Sequence, residues 1–251
     1  MILKELDTEL WYREDLRAAI IENIKKKHTL FPMTDDKAMQ YDLKHNFNNA
    51  AFKFRNEGRC VLALIENLMR ENKTKIYTKE TWKINAMCTS EPFDDKPICI
   101  GGVYDVPILF DIEKYWKENE QNKKRMIFKG ITEAFKQVEQ LEPEWNLTPF
   151  WEACKIAEEN DFYSEYIWNR KKNPKSKDTV EIYCNHKLES MDIYMIFRDN
   201  KEEIIDKYLL ISTLPHEFEF VQYLGDLKWI SDKKAALYDI NGKKRFVRKK
   251  K

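Results

Sequence analysis

Residues 178–184, DTVEIYC, and 192–198, DIYMIFR, decide how the rest of the chain is read. Both are short, rich in β-branched and aromatic residues, and bounded by polar links, which is the signature of a strand. Five more such runs come after them: KYLLIST (207–213), EFEFVQYL (217–224), LKWIS (227–231), AALYDI (235–240) and KRFVR (244–248). RKKNPKSK (170–177) reads as a loop and NKEEIID (200–206) as a short helix. From residue 161 onward the sequence therefore predicts short antiparallel strands.

Working towards the N-terminus, the period changes. Asn119 to Leu141, ended by Pro143, and Thr148 to Asn160 read as helices, the second with Thr148 as N-cap and Pro149 at its first helical position. IYTKETWKINAMC (76–88) and CIGGVYDVPILFD (99–111) are β-rich, and Gly101–Gly102 reads as a strand turn or bulge. The first third reads helical. Thr8 is the expected N-cap of a helix with Tyr12, Leu16, Ile20 and Ile24 on one face and Lys25, Lys26 and Lys27 at its C-terminal end. After the breaker LFPMT (30–34), Thr34 or Asp35 caps a second helix. Its stripe is Met39, Leu43, Phe47, Ala50 and Phe54, with Gly58 as the stop. CVLALIENLM (60–69) then starts a third helix.

The fold class expected is α+β: N-terminal helices, a central mixed segment with two acidic helices, and a C-terminal antiparallel sheet ending in a β-hairpin. One domain over 1–251 is expected, with a helical subdomain 1–72 and a β-rich remainder 73–248 as the alternative division. Asn241–Gly242 between two alternating runs predicts a two-residue type I′ turn. That register pairs Leu237 with Phe246, Ala236 with Val247, Tyr238 with Arg245, and Asp239 with Lys244.

Composition narrows the class. Hydrophobic residues at 43% exclude a disordered chain, and six glycines count against glycine-dependent folds. Cys60, Cys88, Cys99, Cys154 and Cys184 are odd in number and contain no C-x-x-C pair, which predicts reduced thiols and a cytoplasmic protein. The N-terminal MILKELDTELWYRED lacks an apolar signal region, and no apolar run approaches the roughly 20 residues that span a bilayer. No membrane partner is expected.

The net charge of +1 hides an uneven distribution. From Lys233 to Lys251 nine cations face Asp239 alone, so the rest of the chain carries −7. Within it, residues 133–165 hold nine carboxylates (Glu133, Glu139, Glu142, Glu144, Glu152, Glu158, Glu159, Asp161 and Glu165) against Lys136 and Lys155. Trp145, Phe150, Trp151, Phe162 and Tyr163 are interleaved. Acidic surface with aromatic anchors suits a basic protein partner, because charge speeds encounter and a few buried aromatics supply most of the affinity. Proteins that neutralise a nuclease toxin work this way.

Catalytic motifs are absent: there is no G-x-G-x-x-G, P-loop or G-x-S-x-G, and no cofactor is expected. His216–Glu217 lacks the second histidine of H-E-x-x-H. His28 reads as a surface residue, His45 lacks a second ligand at helical spacing, and Cys184 with His186 reads as packing on one strand face. Asp105 and Asp111, flanking VPILF near Glu113, serve equally as strand ends and helix caps. Glu219, Asp226 and Lys228 are reminiscent of the carboxylate hairpin of PD-(D/E)xK nucleases, where acids hold a divalent metal and the lysine stabilises charge on phosphate. Acid-x-Lys triplets start at seven positions in this chain, however, so this one carries little information.

The chain supports three functional expectations, in order. The first is a non-catalytic, immunity-type module that holds a basic protein partner through Trp145, Trp151, Glu152, Glu158 and Glu159. The second is nucleic-acid binding through Lys243, Lys244, Arg245 and Arg248 of the terminal hairpin. The third is a metal-dependent nuclease built on Glu219, Asp226 and Lys228.

Overall fold

The chain opens with a strand, β1 (Glu5–Leu10), in a computed structural model that describes residues 1–27, 33–71 and 75–250. His28, most of the LFPMT breaker and the final lysine lie outside the described residues. Two compact units are formed, Met1–Phe162 and Tyr163–Lys251. The class is α+β, and the C-terminal part is antiparallel sheet ending in a hairpin.

In the first unit β1 is followed by α1 (Glu14–Lys27), α2 (Asp35–Asp42), a π-helical turn at Leu43–Phe47 and α3 (Asn48–Glu71). Then come β2 (Lys83–Thr89), β3 (Ile98–Ile100), β4 (Val103–Leu109), α4 (Ile112–Lys117), α5 (Glu120–Leu141) and α6 (Thr148–Glu159). The sheet order is β1-β2-β4-β3, with β1, β2 and β4 parallel and β3 antiparallel to β4. β1 pairs with β2 across residue 72, so the start of the chain shares a sheet with strands from beyond the helices.

Thr8, expected as a helix N-cap, is therefore a buried strand residue opposite Ala86, and the helix starts at Glu14. The segment ELDTEL alternates with period two. Leu6, Thr8 and Leu10 share a face with Ile84, Ala86 and Cys88 and with Tyr104, Val106 and Ile108, all buried. Glu5, Asp7 and Glu9 point the other way.

Gly58, expected as a helix stop, lies inside α3, which continues without a break through CVLALIENLM. Close packing explains why it is glycine. A Cβ there would meet the Thr8 hydroxyl at 2.6 Å. The residues beside it fix α3 in place. Arg59 donates to the Leu6 carbonyl at 2.6 Å, and Glu66 accepts from the Leu6 N–H at 2.8 Å. Arg59 and Glu66 also pair with each other at 3.2 Å. Glu57 accepts from the Tyr115 hydroxyl at 2.6 Å and from Lys123 Nζ at 3.1 Å, tying α3 to α4 and α5.

Several caps agree with the sequence. Thr34 accepts from the Lys37 N–H, Asp111 from the Lys114 N–H and Asn119 from the Asn122 N–H. Leu147, and not Thr148, is the N-cap of α6. Gly101 and Gly102, at φ +59° and +83°, make the β3–β4 turn as expected.

The second unit has two antiparallel sheets. The first has order β5-β6-β7-β8: β5 (Glu165–Lys172), β6 (Thr179–His186), β7 (Met191–Arg198) and β8 (Ile204–Thr213). The second is β9 (Leu227–Ser231), β10 (Lys234–Tyr238) and β11 (Lys244–Lys249), with β10 in the middle. They share one core, with Val180, Ile182, Ile193, Met195 and Phe197 facing Leu227, Ala235 and Leu237. Asn200–Glu203 of NKEEIID is a turn and the rest enters β8, because Asp199 caps the turn through its carboxylate. EFEFVQYL, read as a strand, is α7 (Glu217–Phe220) plus a 3-10 turn, capped by His216. It sits where the chain crosses between sheets and buries only Phe220 and Leu224.

The terminal hairpin keeps the Leu237–Phe246 and Ala236–Val247 pairs but tightens differently at its tip. Of Asn241 and Gly242 only the glycine has positive φ, +75°, so the two-residue type I′ form is not adopted. Instead the Asp239 N–H donates to the Lys243 carbonyl at 2.9 Å, leaving a three-residue loop. The Asp239 carboxylate accepts the Asn241 and Lys243 N–H groups and the Arg245 Nε–H. Asp239 thus pairs with Arg245 and not with Lys244, and Tyr238 faces Lys244.

Two glycine variants separate packing from propensity. Gly58→Ala should lower stability by about 1–2 kcal/mol, because the clash with Thr8 outweighs the gain in helix propensity. Gly130→Ala in α5 should raise stability by roughly 0.5–1 kcal/mol, because its Cβ would meet only Phe110 at an ordinary 3.6 Å. Urea midpoints check both, and equal shifts in one direction would contradict the packing argument.

Candidate functional site

α5 and α6 form an antiparallel helical hairpin. Phe135 stacks on Phe150 at 3.4 Å, the Trp151 indole N–H donates to Glu139 at 3.2 Å, and Asp161, just past α6, meets Arg125 at 3.1 Å. Ile127, Ile131, Ala134, Phe135 and Val138 of α5 turn inward, as do Phe150, Ala153, Cys154 and Ala157 of α6. The apolar period of 3.6 residues fixes which side chains are left outside.

On α6 those are Glu152, Lys155, Ile156 and Glu159, with Glu158 alongside. Ile156 is 43% exposed, a large apolar side chain ringed by charge. Lys155 reaches Glu159 at 3.9 Å, a surface pair that contributes little. Glu158 forms no ion pair among the described residues. Of the two expected tryptophan anchors, Trp151 is half-buried and reaches the surface of the hairpin. Trp145 is 8% exposed and packs edge-on against Tyr104, so its ring belongs to the core.

The acids sit where helix electrostatics oppose them. A helix favours anions at its start and cations at its end by about 0.3–1 kcal/mol each. α1 obeys, with Glu14 and Asp15 first and Lys25, Lys26 and Lys27 last. α6 has no acid in its first turn and no base in its last, ending on Glu158 and Glu159. α5 also lacks a base in its last turn.

The hairpin cations are less free than their number implies. Lys243 and Lys244 are exposed at the tip, but Arg245 is held by Asp239 at 2.7 Å and Arg248 lies over the Tyr208 ring at 5.9 Å. Of the nuclease constellation, Glu219 is on α7, while Asp226 and Lys228 pair with each other at 2.9 Å. The lysine that would stabilise charge on phosphate is thereby committed to a carboxylate. The described residues hold no group of three or more His, Cys, Asp or Glu placed to share a cation. His186 is buried with its Nε2–H donating to the Pro215 carbonyl at 2.7 Å, and Cys184 is buried beside it, which is packing. Burial pushes the Cys60 and Cys184 thiols up to about 12.

Sequence reading missed one polar constellation. Asp7, Asn85 and Asp105 are in register on adjacent parallel strands, and Asp7 accepts from Arg55 at 2.5 Å and Lys83 at 2.7 Å. Only the alternation of ELDTEL, read as a strand, would have exposed it. With Asp7 1% exposed and held by two cations, the arrangement locks strand to helix.

No family model, no curated protein and no solved structure matches the chain.

Burial pushes the Asp7 carboxyl up, but Lys83 and the Arg55 and Arg59 guanidiniums outweigh it and hold the group below its ordinary 3.8. The resulting stability is present above that value and disappears as pH falls through the lower folded one. Urea midpoints measured from neutral pH downward should therefore drop below about pH 4. Asp7→Asn should start less stable, because it leaves Lys83 without its closest carboxylate, and should show a shallower acid limb. An identical acid limb in the variant would exclude Asp7 as a contributor.

Proposed function

We propose that the chain is a binding protein that docks a basic protein through the outer face of the α5–α6 hairpin. Glu152, Glu158 and Glu159 supply the charge, and Ile156 with the edge of Trp151 supplies the apolar contact. The observation that carries this reading is the placement of acids at the end of α6, where the macrodipole opposes them and the last turn carries no base. A local rule broken with only the weak Lys155–Glu159 surface pair in compensation marks a surface selected for something other than stability. An apolar centre with a charged rim is also the usual anatomy of a protein interface.

This surface sets the chemistry expected of the partner. The partner would present Lys or Arg around a small apolar contact, as a nuclease domain does on the surface that holds phosphates. Neutralising a toxin by covering that surface is the physiological role this reading favours. The carboxylates steer encounter, while Ile156 and Trp151 slow dissociation.

Surface plasmon resonance against a panel of basic nuclease domains tests the proposal. For any domain that binds, Glu152→Lys, Glu158→Lys and Glu159→Lys together should lower the association rate at least about tenfold at low salt. The difference should shrink as salt screens the charges. Ile156→Ala should act on dissociation instead. Binding with unchanged association kinetics in the triple variant, or no binding across the panel, would overturn it.

A further inference from the structure

We propose that one end of the second unit is a nucleic-acid backbone site, assembled from three segments far apart in sequence. This goes beyond the protein-docking reading and rests on different residues. The end of β5 and the β5–β6 connection bring Lys171, Lys172, Lys175 and Lys177, the β9–β10 turn and the start of β10 bring Lys233 and Lys234, and the end of β11 and the residue after it bring Arg248, Lys249 and Lys250.

Specific contacts hold these segments together. Asn173 donates from its side-chain amide to the Asp232 carbonyl at 3.2 Å, and the Lys250 N–H donates to the Lys233 carbonyl at 2.9 Å. Lys250 also pairs with Asp178, and Lys175 pairs with Asp232 at 3.2 Å. Nine cations thus face Asp178 and Asp232, both already engaged, with Asp226 near Lys171 and itself paired with Lys228. Lys172, Lys177, Lys233, Lys234 and Lys249 form no ion pair among the described residues.

Two further features separate this end from an ordinary solvated surface. Lys234 and Lys249 stand directly opposite each other on paired strands, a like-charge pairing that destabilises a sheet. The backbone beneath the lysines is also fixed in advance by buried or half-buried side chains. Asn173, nearly fully buried, accepts the Lys175 and Ser176 N–H groups; the Trp229 indole donates to the Lys171 carbonyl and the Tyr208 hydroxyl to the Lys249 carbonyl, both at 2.9 Å. Such preorganisation reduces the ordering cost of binding.

The chemistry points to a repeating anion. Apart from the charged groups, the exposed residues of these segments are Pro174, Ser176 and Ser231, and the exposed apolar side chains that border them, Ile230 and Val247, are single and not gathered into a patch. A protein partner or a membrane would call for apolar anchors beside the lysines. A phosphodiester backbone does not, and it is bound through displaced counterions. The site lies at the opposite end of β11 from Lys243 and Lys244, so the hairpin tip is not its centre.

The test is fluorescence anisotropy of the full chain with labelled mixed-sequence oligonucleotides of about 20 nucleotides, single-stranded and duplex, from about 50 to 200 mM salt. Neutralising about five phosphates gives a log–log slope near −4 to −5 for duplex, so two to three orders of magnitude of affinity should be lost over that range. Lys172→Gln, Lys177→Gln, Lys234→Gln and Lys249→Gln together should bring the slope to about −1, with an unchanged urea midpoint confirming the fold. Lys243→Gln with Lys244→Gln should leave binding nearly intact. Absence of binding by the wild type, loss caused by the tip variant instead, or binding to phosphatidylserine vesicles but not to oligonucleotides would overturn the proposal. So would salt-sensitive self-association, abolished by the fourfold variant and not competed by oligonucleotide, which would assign this end to the acidic face of a second copy.

Discussion

Leu6 lies on an edge strand, and its N–H and C=O point away from β2. In a buried strand those groups must find partners or cost several kcal/mol between them. Glu66 and Arg59 provide them from α3, pairing with each other as they do so. A charged pair is normally an expensive thing to bury, and it is tolerable here because each member also bonds to the backbone. This substitutes a helix for the missing neighbouring strand and removes an open edge that could recruit another chain.

Much of the first unit depends on that arrangement. For Arg59 and Glu66 to reach Leu6, α3 must lie against β1, and Gly58 permits the approach by leaving room for Thr8. With α3 fixed, Glu57 can receive Tyr115 and Lys123 and so position α4 and α5. Phe54 then packs with Phe110 and Tyr115, closing the aromatic cluster at the end of β4. α6, packed on α3 and joined to α5 by the Phe135–Phe150 stack, leaves its acidic side outermost.

The second unit solves its edges differently. Its two sheets bury a shared apolar core, and their cations collect where loops and strand ends meet. A net charge of +1 therefore describes neither an acidic helical face nor a basic sheet end. Charge of one sign gathered on one surface raises local potential and costs stability, so each concentration asks for a binding explanation more than a structural one.

Sequence alone determined the elements whose signal is local. The two acidic helices, most of the strands after residue 161 (not β5, whose Arg170–Lys172 read as loop, and not the helical EFEFVQYL) and the Gly101–Gly102 turn come from periodicity, caps and turn chemistry acting over a few residues. So does the inner pairing of the terminal hairpin. The acidic residues of α6 were legible too, since a charge run on an amphipathic helix has only one face to occupy. What tertiary structure decided involves partners distant in the chain. ELDTEL looks like the start of a helix until β2 lies beside it, Gly58 looks like a stop until Thr8 fills the space, and Trp145 looks like an anchor until Tyr104 covers it. The basic end of the second unit was least legible. RKKNPKSK, Asp232–Lys234 and the terminal lysines each look like an ordinary polar link in sequence, and only strand pairing and the Asn173 clamp bring their charges together.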